Sequence, residues 1–175
     1  IMSIGSTSQY NPIDVAKEVG KRLLREFYGD PFADVFALLD EYNFMHTLGT
    51  VVGDERANEL LSDEGWYNEF VREYMKYWSK AVAWAISMTI FRSAVEHIAP
   101  ITGRKKSKIK ELIDEVKRAE DRRDLYWAIN DIGEFVGCSD SCLDGVYEAL
   151  DLIPDEYIGY VKDELISALS DLERS

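Results

Sequence analysis

Residues 66–98, WYNEFVREYMKYWSKAVAWAISMTIFRSAVEHI, decide the fold of this chain. The first half of the stretch places large side chains at helical spacing along one face: Trp66, Phe70, Tyr74, Tyr77 and Trp78. From residue 81 to residue 91 the polar face disappears. A helix that is apolar on all sides must be covered on all sides. The stretch therefore predicts a long central helix that the other segments surround.

Shorter helices are predicted on both sides of this stretch, and no segment has the period of two that a strand requires. Asn11 and Pro12 are typical of a helix start, and Gly29 can end that helix. Asp30 and Pro31 repeat the start signal and predict a helix to Tyr42. Further apolar patterns cover residues 54–61, 109–119, 121–136, 143–150 and 154–172. Asp121 can cap the helix that Gly137 ends. In the last helix the residues expected to face inward are Ile158, Val161, Leu165, Leu169 and Leu172.

The predicted fold class is all-α: a multi-helix bundle around one long central apolar helix, followed by C-terminal helical hairpins. Residues 11–175 are expected to form a single helical domain, with a sub-boundary allowed near 99–107, where Pro100 stops the central helix. Residues 1–10 are small and polar and are expected to be frayed. The longest apolar run falls short of the roughly 18 residues that span a bilayer, so no membrane segment and a cytoplasmic location are expected.

The charge of the chain is strongly acidic and unevenly distributed. The net charge is −13, and residues 124–175 carry 13 Asp/Glu against 2 Lys/Arg. Residues 92–123 are the exception, with 10 Lys/Arg against 6 Asp/Glu. Such acidity opposes general DNA or RNA binding because phosphates are repelled over most of the surface. The single glutamine and the many charged residues are typical of proteins from hot environments.

The segment FRSAVEHIAP, residues 91–100, carries an Arg and a His in the pattern R-x4-H, at Arg92 and His97. This pattern resembles the signature of the HEPN superfamily, helical-bundle proteins that include many metal-independent endoribonucleases and toxin components. The resemblance implies that His97 transfers protons during attack by a ribose 2′-hydroxyl and that Arg92 holds the scissile phosphate. It also implies a homodimer in which two copies of the motif form one cleft.

A basic run follows the motif and would steer RNA towards it under this hypothesis. Its phosphate-binding residues would be Arg104, Lys105, Lys106, Lys108 and Lys110. The alternative interpretation of the motif is structural. Positions five apart on a regular helix point about 140° away from each other. Arg92 would then extend outward from the apolar segment, and His97 would bond free carbonyls at the helix end.

Other candidate residues favour structural roles. Cys138 and Cys142 lack the two further ligands of a structural zinc site, and a local disulfide is open to them, but two thiols beside a helix start are favoured. His46 is expected to cap a helix or to be partly buried. No E-x-x-H pair supports a di-iron site, and no Gly-rich phosphate loop occurs. No metal and no cofactor are therefore predicted.

The leading functional hypothesis is an acidic, all-helical protein-interaction module without catalytic activity. It is expected to self-associate as a homodimer, to bind a basic protein partner, or both. The 10 tyrosines support this hypothesis, because Tyr and Trp are enriched at interfaces, although aromatics at helical spacing are more often core. The alternative is a HEPN-like metal-independent endoribonuclease or toxin component that uses Arg92 and His97.

Overall fold

The computed structural model describes residues 10–138 and 140–175, apart from the side chains of residues 41–43 and 140. The predicted all-α class is confirmed, since this part of the chain contains helices and no strand. Its helices are α1 Pro12–Phe27, α2 Val35–Leu39, α3 Glu41–Val52, α4 Asp54–Ser62, α5 Glu64–His97, α6 Gly103–Arg118, α7 Arg122–Val136, α8 Asp140–Leu152 and α9 Ile158–Arg174, with a 3₁₀ turn at Asp155–Tyr157.

Helix α5 is the central helix that the sequence predicts. Its 34 residues correspond to about 51 Å at 1.5 Å per residue. None of residues 81–94 is exposed, and Ala81, Ile86 and Ile90 are completely buried. Helices α1 and α9 pack most extensively against α5, and α2, α4, α7 and α8 also contact it. The expectation that this segment is covered on all sides is confirmed.

Four aromatic side chains of α5, those of Trp66, Phe70, Tyr74 and Trp78, are buried in the core, whereas Tyr67 is exposed. The Trp66 and Phe70 rings stack with centroids 5.2 Å apart, and the Phe70 and Tyr74 rings stack at 5.5 Å. The buried Trp78 indole donates to the carbonyl of Leu38 at 2.9 Å. Trp78 therefore anchors α2 to α5, and the stacked rings fill the core along one face of α5.

Several local signals act as predicted. The Asn11 side chain accepts hydrogen bonds from the backbone of Ile13 and Asp14 at the start of α1. Asp121 caps α7, which ends before Gly137 in the left-handed conformation, with φ of 78°. Gly29 follows the end of α1 with φ of 90°. These positions are local in the chain, so sequence alone identifies them.

The predicted helix from Pro31 to Tyr42 is wrong. Pro31 lies in a turn, and α2 begins only after Asp34. Asp40 has an extended backbone and separates α2 from α3. Asp34 accepts a hydrogen bond from the Phe36 backbone and so starts the helix four residues later than expected. The carbonyls that an earlier helix would have used are bonded instead to side chains of α5.

The C-terminal half differs from prediction in smaller ways. Helix α6 begins at Gly103, so the basic run 104–110 is helical, and a 3₁₀ turn separates Pro154 from α9. Buried residues on both sides of Pro100 belong to one hydrophobic core. Residues 1–9 of the segment that was expected to be frayed lie outside the described residues. Within the described chain, no helix has the length and apolar character needed to cross a membrane.

Candidate functional site

Arg92 connects the centre of the bundle to the loop between α1 and α2. Its Nη1 donates to the carbonyl of Pro31 at 2.7 Å and to that of Ala33 at 3.1 Å. The side chain is half-buried at the end of the apolar part of α5. Its guanidinium therefore holds the backbone on both sides of Phe32, rather than extending freely outward.

This loop is fixed at further points. The Trp84 indole donates to the carbonyl of Asp30 at 2.8 Å, and the Asp30 side chain accepts from the Phe32 backbone at 2.9 Å. Ala33 is buried, whereas the Phe32 side chain is 77% exposed. The loop thus presents one large apolar side chain to solvent on a hydrogen-bonded support.

His97 lies at the other end of the motif and bonds to its own helix. Its Nδ1 is 2.9 Å from the Ser93 carbonyl oxygen and 3.2 Å from the Ser93 hydroxyl. That hydroxyl donates to the carbonyl of Val136 at 2.9 Å, at the end of α7. The imidazole is 47% exposed, and its Nε2 is 4.0 Å from a carboxylate oxygen of Glu96.

The two residues of the motif have different neighbours within this chain. Arg92 bonds to the α1–α2 loop, while His97 lies against Gly137, where an added Cβ would be 3.1 Å from the His97 Cβ. The arrangement is that of two structural clamps at the same end of α5. The catalytic roles of Arg92 and His97 stay a prediction.

The basic run is divided between structural and solvent-facing positions. Lys105 Nζ donates to the carbonyls of Ile98 and Pro100, at 2.5 and 3.3 Å, and so caps the C-terminal end of α5. Lys108 pairs with Glu111 at 3.6 Å. Lys106 is half-buried, and Arg104 and Lys110 are exposed. Lys105 therefore has a role in the fold that charge alone does not reveal.

The remaining sequence candidates are also located. Cys138 and Cys142 form a disulfide with their Cα atoms 5.4 Å apart, so the favoured interpretation as two thiols is wrong. Cys138 follows the end of α7, and Cys142 lies in the first turn of α8. His46 lies inside α3 and is exposed, contrary to the expected capping or partly buried position. The described residues contain no cluster of three or more potential metal ligands.

An apolar groove lined by residues of α1, α2, α3, α5 and α8 was missed by sequence reasoning. Its cavity has a volume of about 310 Å³ and is lined mainly by apolar side chains, among them Leu39, Phe44, Tyr67, Met75 and Leu152. Leu152 is exposed at its edge. The neighbouring Phe36 is also exposed, and one side of its ring lies against Gly145 of α8. The late helix cap at Asp34 is the sequence signal that could have indicated this exposure.

Comparison of the chain with protein-family models, with curated proteins and with solved structures finds no match.

Proposed function

We propose that this protein is a non-catalytic interaction module that self-associates through the surface around Phe32. The observation that carries the proposal is the 77% exposure of Phe32 on a loop held by Trp84 and Arg92. A side chain on a preorganised loop loses little conformational entropy on binding. Aromatic side chains that bury their surface at an interface are frequent sources of binding energy.

The groove beside Leu152 is a suitable receptor for such a side chain from a second copy. The groove is apolar, and its cavity of about 310 Å³ can accept an aromatic ring. In a two-fold dimer, each copy would insert its aromatic side chains into the groove of the other, so both surfaces would be used twice. The exposed Phe36 and Leu152 would be covered at the same time.

Light scattering coupled to size exclusion tests this proposal over a range of protein concentrations. We expect a dimer for the natural chain, and at least about a tenfold higher dissociation constant for Phe32→Ala, because a buried aromatic anchor is lost. Val95→Ala removes an exposed apolar side chain from α5 and serves as the matched control. A natural chain that stays monomeric at millimolar concentration, or equal effects of both substitutions, would contradict self-association.

A metal-independent endoribonuclease is the second candidate function. It is favoured by the half-exposed His97 ring and by the exposed cations Arg104 and Lys110 on the next helix. Arg92 would have to exchange its bonds with Pro31 and Ala33 for bonds with a phosphate. The test is cleavage of single-stranded RNA in the presence of EDTA, with His97→Ala as the inactive variant. No cleavage by the natural chain, or equal cleavage by both, would exclude this function.

A further inference from the structure

A further exposed aromatic side chain lies in the C-terminal half of the chain, on α7. Trp127 is 61% exposed and is the most exposed of the four tryptophans. Two clefts flank its indole. One, of about 260 Å³, is formed with Tyr126, Asn130 and Tyr147. The other, of about 230 Å³, is formed with α6 and includes Glu115. The indole therefore borders both clefts and is largely open to solvent.

The aromatic cleft is held in place by contacts between α7 and α8. The Tyr126 and Tyr147 rings lie 5.3 Å apart, and the Tyr147 hydroxyl donates to the Asn130 side chain at 3.5 Å. The Tyr126 hydroxyl bonds to the Asp151 carboxylate. These contacts define a pre-formed surface rather than a loose aromatic patch.

The second cleft is lined by two carboxylate residues, Glu115 and Asp124, and by one cation, Arg118. Glu115 and Asp131 share a hydrogen bond, and burial, followed by the interaction with Asp131, raises the pKa of Glu115 to about 7. Lys108 and Arg118 lower this pKa but do not cancel the rise. Helix α9 contributes Lys162 at the same end of α6, where it donates to the carbonyls of Lys117 and Ala119. The Glu115 carboxylate lies in the same cleft as Trp127, where it can accept hydrogen bonds from a further cation once it is deprotonated.

We propose that this surface, formed by Trp127 and the Glu115–Asp131 pair, binds an arginine side chain on a basic segment of a protein partner. A guanidinium group can stack on an indole and donate to two carboxylate oxygens at once, which an ammonium group cannot do. The 13 acidic residues among residues 124–175 would attract such a segment from a distance. This proposal shares the premise of an interaction module with the proposed function, but it uses a different surface.

The test uses a blocked peptide with three arginines separated by glycines, and a lysine peptide of the same length and charge. Binding to the full chain is followed by tryptophan fluorescence and by calorimetry. We expect the arginine peptide to bind at least about threefold more tightly than the lysine peptide, the difference that stacking on an indole supplies. Trp127→Ala should remove this preference, whereas Phe32→Ala should leave it intact and affect only self-association.

The carboxyl pair provides a second readout. Because Glu115 loses its proton near pH 7, arginine binding should be tighter at pH 8 than at pH 6. Glu115→Gln should weaken binding at pH 8 and flatten this dependence. Asp163→Asn, an exposed position on α9 with the same change of net charge, should do neither. Equal binding of both peptides, or equal binding by Trp127→Ala and the natural chain, would overturn the proposal.

Discussion

Arg92 shows how a residue in a recognisable motif can have a structural purpose. Its guanidinium extends from the apolar part of α5 and donates hydrogen bonds to the carbonyls of Pro31 and Ala33. These two carbonyls lie outside the helices and accept no helical hydrogen bond. Buried or half-buried carbonyls need hydrogen-bond donors, and a charged donor makes stronger bonds than a neutral one. Arg92, the residue that the motif would assign to phosphate binding, therefore supports the loop that carries Phe32.

The first prediction concerns this support. Arg92→Ala should lower the free energy of unfolding by about 2 kcal/mol, because two hydrogen bonds to a charged group are lost. It should also weaken self-association, since the loop around Phe32 loses its fixed conformation. Urea unfolding followed by circular dichroism measures the first effect. Arg72→Ala, at an exposed position of the same helix, is the control, and an equal loss of stability in both variants would contradict this role.

At the scale of elements, the close contact of α1 with α5 depends on a glycine. A Cβ at Gly20 would lie 2.3 Å from the Tyr77 ring, so the two helices approach through the missing side chain. Gly159 of α9 is a natural comparison, because a Cβ there would meet no atom within 4 Å. Packing therefore requires a glycine at position 20 but not at position 159.

We predict that Gly20→Ala lowers the free energy of unfolding by about 1–3 kcal/mol, as overpacked core positions do. Gly159→Ala should leave stability unchanged or raise it by up to about 1 kcal/mol, because alanine favours helix. Thermal and urea unfolding of both variants measure the difference. A Gly20→Ala variant as stable as Gly159→Ala would show that α1 does not pack on Tyr77 as described.

The disulfide between Cys138 and Cys142 joins the end of α7 to the first turn of α8. Closing this short loop should contribute about 2 kcal/mol in the chain-entropy model. We predict that a phosphine reductant lowers the urea midpoint of the natural chain accordingly. The double variant Cys138→Ala/Cys142→Ala should not respond to the reductant. An unchanged midpoint on reduction of the natural chain would mean that the bond adds no stability.

At the scale of the whole molecule, acidic charge is concentrated where α7, α8 and α9 lie, and cations are concentrated on α6. The pair of Glu115 and Asp131 sits where these two regions meet. Folding raises the pKa of Glu115 from 4.5 to about 7, so the folded chain holds a proton that the unfolded chain releases. The stabilisation is complete below pH 4.5 and is lost as the pH rises through 7.

The corresponding prediction is that the natural chain loses stability between pH 5 and pH 8 by more than Glu115→Gln does, since glutamine stays neutral throughout. At pH 8 the variant should be the more stable of the two. Urea unfolding across this pH range provides the measurement, and Asp163→Asn should retain the pH dependence of the natural chain. Parallel stability profiles for Glu115→Gln and the natural chain would refute the raised pKa.

Features that depend on near neighbours in the chain could be predicted before the fold was known. Residues 81–91 are apolar on all sides of a helix, which predicted that this helix is buried. Asn11 and Asp121 marked helix starts, and Gly137 marked a helix end. In α9 the spacing of its apolar residues already identified the buried face. Helical periodicity and capping act over a few residues, so a single sequence carries enough information to find them.

Features that depend on distant partners became visible only in the folded chain. Arg92 and Trp84 donate to carbonyls more than fifty positions away in the chain. Helix α2 therefore begins later than predicted, and Phe32 is exposed. The pairing of Glu115 with Asp131 and the exposure of Trp127 likewise depend on how α6, α7 and α8 meet. An Arg, a Phe or a Trp has the same local preferences in either setting. The contacts of such a side chain are fixed only when the whole chain packs, because packing must bury the apolar surfaces and pair the buried polar groups at the same time.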